Sequence, residues 1–319
     1  MKRRVSVGIA CMLVCALCMV LCGCQSQSSY EPTKKSATVT VPTIGQDGKL
    51  RVGVNSSNAP FSTQVSGKLV GIDVDIAAAL ATEMGLELEL VDVGNDAEGA
   101  LEDGSVDIIM NQESGDTSST AWLSDAYLPT AVSVFSTSSS SSLPSEDSKP
   151  TIEAQSSSMS AWEVANQFGD TSLSSVSDLK TAFSDLSSGK TTYVAADAVI
   201  GSYVAYTSSV DAKIVGVLQK VGGYSIGIST SNTELQNAVA TALKTISSNG
   251  TISVIESKWL GTSLDLSSVD QSAAARKSSG SSSSSSTTSS TATQEDKSAG
   301  DSVQADDASS SQEATDSAA

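Results

Sequence analysis

From Lys49 to Gly261 the chain alternates segments of strand periodicity with segments of helix periodicity, and few folds accommodate that alternation. Leu50–Val54 is a short apolar run closed by turn formers. Gly71–Gly85 carries apolar residues at Ile72, Ile76, Leu80 and Met84, the spacing of one helix face, and ends in glycine. Leu86–Val93 alternates apolar and acidic residues as a strand does, Ala97–Leu101 opens a short helix, and Val106–Met110 and Val132–Phe135 suit buried strands. After a Ser-rich break at 136–150 the series restarts. Strands are expected at Thr151–Gln155, Thr191–Ala195, Lys213–Leu218 and Ser225–Ile228. Helices are expected at Ser160–Phe168, Val176–Leu186, Val199–Tyr206, Glu234–Ile246 and Ile252–Leu260. Strands alternating with helices imply sheets covered on both faces. Two such series predict an α/β chain of two lobes with two parallel-dominated sheets. In such sheets ligands sit beyond the carboxyl ends of the strands, and clefts between lobes are favoured sites.

The flanks differ in kind. Lys2, Arg3 and Arg4 precede an apolar stretch from Val5 to about Leu21, which reads as a secretion signal over residues 1–23. The run Leu21-Cys22-Gly23-Cys24 resembles a bacterial lipobox, which implies cleavage before Cys24 and a diacylglycerol on its sulfur. All five cysteines lie between Cys11 and Cys24, so a chain cut there keeps one, with nothing to pair with. Residues 24–47 are Ser/Thr-rich and are expected to form a flexible tether. Residues 268–319 are mostly Ser, Ala, Thr, Asp and Gln, too poor in large apolar groups to order themselves, and are expected to form a disordered acidic tail.

Charge excludes several functions. The net charge is −18, and three basic residues and no acidic one lie in the first 23. Nucleic-acid binding needs clustered Lys and Arg, so no nucleic-acid partner is expected. Histidine is absent, which removes His-based acid–base chemistry and His-ligated metals. No cofactor and no metal is expected. Asp73 and Asp75, two apart at a helix start, do not share a face and read as helix-start acids rather than a catalytic pair.

The segments LRVGVNSSNAPFS, GKLVGIDVDIAAALATEMG, ALEDGSVDIIM and LSDAYL resemble the first lobe of family 3 extracellular solute-binding proteins. TELQNAVATALKTISSNGTISVIESKWLG resembles the closing segment of that family. The resemblance implies a periplasmic-binding-protein type II fold with a two-strand hinge, lobe 1 from 48–137 plus 229–261, and lobe 2 from 150–224. It further implies a small polar solute as ligand, the permease subunits of an ABC importer as partners, a monomer, and no enzymatic activity.

The resemblance also implies a site. The family grips an α-carboxylate with an Arg in the loop after the third strand, since a guanidinium fork fits a carboxylate bidentately. Here that loop, Asn111–Ser124, has neither Arg nor Lys, and Thr117 is the nearest match. Asn58 and the pair Gly94-Asn95 stand where aromatic walls are common. Asp197 stands where the family holds the ligand's amino group, although an acid at a helix start also serves the helix. Ser156, Ser157 and Ser158 match a turn that opens a helix, where hydroxyls and free N–H groups suit an anion as well as a cap. Asn55, Phe61, Gln112 and Ser114 complete the candidate set, with Phe61 also suited to the core under its turn. Two other readings stay open. One is a degenerate member acting as a sensor or surface-interaction lipoprotein. The other is a dehydratase-type enzyme, whose carboxylate substrates would want cations in the cleft.

Overall fold

The computed structural model describes residues 35–137 and 142–280. The signal segment, Cys24 and the chain after Gly280 lie outside the described residues.

The first lobe starts from β1 (Lys49–Val54), whose alternate side chains Leu50, Val52 and Val54 are buried. A small hairpin sheet follows, made of β2 (Ser57–Asn58), β3 (Ser62–Val65) and β4 (Lys68–Val70). Gly71 then turns the chain into α1 (Ile72–Glu83) with φ +151°, and a Cβ there would stand 2.0 Å from the Phe61 carbonyl oxygen. Only glycine fits so close an approach. Helix α1 buries Ile72, Ile76 and Leu80 completely, each contributing roughly 1.5–3 kcal/mol of transfer free energy. The lobe continues with β5 (Glu87–Asp92), α2 (Ala97–Glu102), β6 (Ile108–Glu113), β7 (Trp122–Leu123) and β8 (Leu128–Thr130).

The second lobe holds β9 (Val132–Ser136), β10 (Ile152–Gln155), α3 (Met159–Phe168), β11 (Leu173–Val176), α4 (Leu179–Ser188), β12 (Tyr193–Asp197), α5 (Ala198–Thr207) and β13 (Lys213–Val217). The chain returns to lobe 1 in β14 (Gly222–Ile228), followed by α6 (Thr233–Ser248) and α7 (Thr251–Leu260), both packed on α1. A last helix, α8, spans Ala273–Gly280. Side chains cap four of these helices: Ser158 for α3, Asp178 for α4, Asp197 for α5 and Asn232 for α6.

Sheet order in lobe 1 is β5-β1-β6-β14-β7, with β8 also on β14. In lobe 2 it is β11-β10-β12-β9-β13. Each sheet has a parallel three-strand part, β5-β1-β6 and β11-β10-β12, completed by antiparallel strands. Both crossings between the lobes are made by antiparallel strands. One crossing runs from β8 through Ala131 into β9, the other from β13 through residues 218–221 into β14. The two are tied together by Leu218 N–H donating to the Val132 carbonyl at 2.8 Å and by Gly222 pairing with Thr130. This is the two-strand hinge of a type II periplasmic-binding-protein fold.

Four expected boundaries move. Val132–Ser136, assigned to lobe 1, belongs to the sheet of lobe 2, and Gly222–Tyr224, assigned to lobe 2, begins the strand that returns to lobe 1. Both strands read as buried from either side of the hinge, so sequence could not say which sheet each joins. The tether expected over residues 24–47 is docked in its described part: Val39 and Ile44 are buried in the lobe 1 core, and Thr38 N–H donates to Met84 O. The tail expected from 268 is ordered over its first residues, which pair with β13 and enter α8. Ser and Ala dominate there, yet Leu266, Val269 and Ala275 suffice to anchor it.

Candidate functional site

Between the lobes, over the hinge, lies a cavity of about 610 Å³. Its walls come from the end of β6 (Asn111, Glu113, Ser114), the hinge (Thr130, Gln219, Lys220), β14 (Tyr224) and the strand ends of lobe 2 (Gln155, Ser158, Asp197).

Asp197 ends β12 and caps α5. Its Oδ1 accepts the N–H groups of Val199 at 2.9 Å and Ile200 at 3.0 Å. Its Oδ2 accepts the Thr130 hydroxyl at 2.5 Å and the Tyr224 hydroxyl at 3.4 Å. One carboxylate therefore joins lobe 2, the first crossing and the second. Burial raises its pKa above the usual carboxylate range, although Thr130, the two amides and Tyr224 pull the other way. Burial, then the neighbouring Asp197 charge, pushes the Tyr224 phenol far above its ordinary value, so it is a neutral donor. An ammonium reaching Asp197 would compensate the desolvation of its carboxylate.

A second hollow of about 390 Å³ lies on the lobe 1 side, lined by Asn55, Asn58, Gly94, Asn95, Asn111 and Gln112 among others. Its side chains are paired amide to amide: Asn55 Nδ2 donates to Asn95 Oδ1 at 2.9 Å, and Asn58 Nδ2 to Asn111 Oδ1 at 2.9 Å. Asn111 lines both hollows. Its φ of +62° is a left-handed conformation that asparagine tolerates better than most residues. Its Nδ2 is buried without a partner among the described residues. Unpaired buried donors are costly and rare.

Loop 111–124 owes its shape to an acid rather than a base. Glu98 at the start of α2 accepts the hydroxyls of Ser119 at 2.6 Å and Thr120 at 2.8 Å, and the Thr120 N–H at 3.2 Å. Those bonds, Ser119 first, hold its pKa below the usual range and keep it ionised. The cation on the cavity wall comes instead from Lys220 on the second crossing.

Of the residues expected at the site, Asp197, Ser158 and Ser114 line the interlobe cavity, and Asn55, Asn58 and Gln112 line the lobe 1 hollow. Ser158 also caps α3, accepting the Ala161 N–H at 3.1 Å, while it lines the cavity. Ser156 and three further candidates fall outside both linings. Phe61 is 2% exposed and sits edge-on to Tyr224 at 4.6 Å between ring centroids, supporting the wall from the core. Thr117 lies exposed in its loop, and Ser157 is exposed with φ +59°. Sequence reasoning missed Tyr224, Thr130 and Lys220. All three belong to the crossings, and GGYSIGI carries no signal beyond a strand. Asp75 accepts the Trp259 indole N–H at 2.6 Å and pairs with Lys258, which gives this helix-start acid a structural role tying α1 to α7.

The profile described as bacterial extracellular solute-binding proteins, family 3, matches residues 50–262. Among solved structures, the chain resembles the L-cystine solute receptor of Neisseria gonorrhoeae in its unliganded open conformation, with TM-score 0.60 and 22% identity over 68% of this chain and 95% of that one. It also resembles a polar amino acid ABC uptake transporter substrate binding protein from Streptococcus thermophilus, with TM-score 0.57 and 19% identity over 68% and 87%. An ancestral cationic amino acid solute binding protein gives TM-score 0.56 and 23% identity over 67% and 96%. At these identities the likeness to each structure is one of fold.

Proposed function

The chain belongs to the bacterial extracellular solute-binding proteins of family 3, and from that premise we propose that it captures a small polar solute, an amino acid or an amino-acid-like molecule, in its interlobe cleft and delivers it to the permease of an ABC importer. The observation that carries the reading is Asp197. It is a desolvated carboxylate on the cavity wall, bonded to both hinge crossings through Thr130 and Tyr224. A solute ammonium held there would reach the two strands about which the lobes turn.

The wall's charge favours neutral or cationic solutes. Glu113 and Asp197 line the main cavity together with Lys220, and Asp96 and Glu98 line the lobe 1 hollow. The amides of Asn55, Asn58 and Asn111 suit a solute that both donates and accepts hydrogen bonds. Main-chain N–H groups at the start of α3, beside Ser158, would take over part of the missing Arg's role on a carboxylate. We place the protein at the outer face of the bacterial membrane, held by lipid on Cys24. No helix among the described residues is long and apolar enough to cross a membrane.

A second reading rests on the loop 111–124, which has no cation: a member of the family that senses a solute or holds a surface partner without transport. Thermal shifts against amino acids, amines, short peptides and sugars test both. A solute that raises Tm in the wild type and not in Asp197→Asn supports the receptor, because a ligand that binds only the folded state must stabilise it. No shift from any compound would overturn solute capture and favour a member that holds a surface partner.

A further inference from the structure

The chain does not leave the molecule at the end of lobe 1. After α7, Leu264 packs on the lobe 1 core, and its N–H donates to Glu256 Oε2 at 3.4 Å. Two residues on, Leu266 is 2% exposed and packs with Ala131, Ala198 and Val217. Ala131 is the middle of the first crossing, and Val217 is the last residue of β13 before the second. A single leucine is thus wedged against both strands of the hinge.

The segment then bonds to lobe 2. Val217 N–H donates to Asp270 O at 2.8 Å, and Ser272 N–H donates back to Val217 O at 3.0 Å, with Gln271 in parallel register opposite Val217. The Ser272 hydroxyl adds a bond to Leu218 O at 3.3 Å. Strand β13 is the outer strand of its sheet, so this bridge also covers part of an open edge. Gly216 makes the approach feasible: a Cβ there would lie 3.0 Å from Asp270 O and 2.7 Å from Leu143 Cβ.

Two-lobe closure turns on a few crossing residues that absorb changes in φ and ψ. A buried side chain packed among residues of both crossings resists those changes. We propose that residues 262–280 act as a strap, a third connection between the lobes, which limits how far the cleft opens. Most of the strap lies beyond residues 50–262, the part that matches the family profile. Between its anchors the strap spans a hollow of about 590 Å³ lined by Tyr206, Ile214 and Val269 among others, which gives it slack to follow closure. The inference does not depend on which solute binds.

The test uses the full chain with spin labels carried on keto amino acids at the exposed positions Ser248 in lobe 1 and Lys180 in lobe 2, which avoids the five native cysteines. Leu266→Ala removes the wedge. Ser272→Pro independently removes the N–H that bonds Val217, leaving Leu266 in place. The interlobe distance distribution should broaden in both variants while the far-ultraviolet circular dichroism stays that of the wild type, and Leu266→Met should restore the wild-type width. Should Leu266→Ala fail to fold, Ser272→Pro decides alone. Distributions as narrow as the wild type in the folded variants would overturn the strap.

Discussion

The Tyr127 hydroxyl donates a 2.6 Å hydrogen bond to Asp73 Oδ1, and its oxygen accepts the backbone N–H of Asn111 at 3.1 Å. A relay of two bonds thus runs from a wholly buried carboxyl at the start of α1 to the residue that lines both hollows of the site. Burial is the larger influence on Asp73 and outweighs the Tyr127 bond, so its carboxyl is pushed up to about 7 from 3.8.

The sign of the pH dependence follows. A carboxyl whose folded pKa exceeds its unfolded one contributes stability that is complete below about pH 4 and is lost as pH rises towards 7. At about 1.4 kcal/mol per pKa unit the contribution is of order 4 kcal/mol. Asp73→Asn keeps an acceptor for Tyr127 and removes the titration. Urea unfolding at pH 5 and pH 8 should therefore show a smaller loss of stability with rising pH in Asp73→Asn than in the wild type. Equal losses would mean that Asp73 titrates as an ordinary carboxyl.

Asp197 divides its work between its two oxygens, and two variants separate the roles. Asp197→Ala loses the cap of α5, costing about 1 kcal/mol, and strands the Thr130 hydroxyl as well. Asp197→Asn keeps an oxygen for the Val199 and Ile200 amides and removes the charge. The expected outcome is a Tm near the wild type for Asn and lower for Ala, with solute binding lost in both. Wild-type affinity in Asp197→Asn would show that no solute cation sits on this carboxylate.

How much of this was legible beforehand varied with how local the cause was. Helix α1 was readable within two residues because Ile72, Ile76 and Leu80 lie on one face and Gly71 and Gly85 bound it. Helix α4 was expected three residues early, from Val176, because β11 ends in a Ser-rich run and its cap at Asp178 looks like any other turn. The three-strand hairpin sheet was missed, since strands of two to four residues are too short to show a period. Asp197 was legible as an acid where a strand meets a helix. Its partners Thr130 and Tyr224 were not, because they reach it from separate crossings, 67 and 27 residues away.

Gly71 is the most restrictive backbone position of lobe 1. A methyl group there would collide with the Phe61 carbonyl, and φ +151° is unfavourable for any other residue. Gly71→Ala should destabilise the protein by more than about 1 kcal/mol in urea unfolding and displace the turn under Phe61. A wild-type midpoint would mean that the turn relaxes without cost.

Asp107 is one of the groups that hold residues 37–47 against lobe 1. Its carboxylate accepts the Gly45 N–H at 2.8 Å, the Arg51 N–H at 2.8 Å, and the Arg51 guanidinium through Nη2 at 2.7 Å and Nε at 3.2 Å. The same guanidinium donates to the carbonyls of Gly104 and Ser105, closing the loop between α2 and β6. The Arg51 pKa is raised chiefly by the Asp107 bond. Asp107 is 7% exposed and the Arg51 side chain 16%, so removing the carboxylate leaves two backbone N–H groups and one edge of the guanidinium without an acceptor, at a cost of about 1–3 kcal/mol. Asp107→Ala should lower stability by that order, with little relief from added salt because the pair is shielded from solvent. Amide exchange of Gly45 and Arg51 should accelerate together, since both N–H groups lose the same acceptor. Faster exchange at Arg51 alone would mean that Gly45 is held by Val39 and Ile44 rather than by this carboxylate.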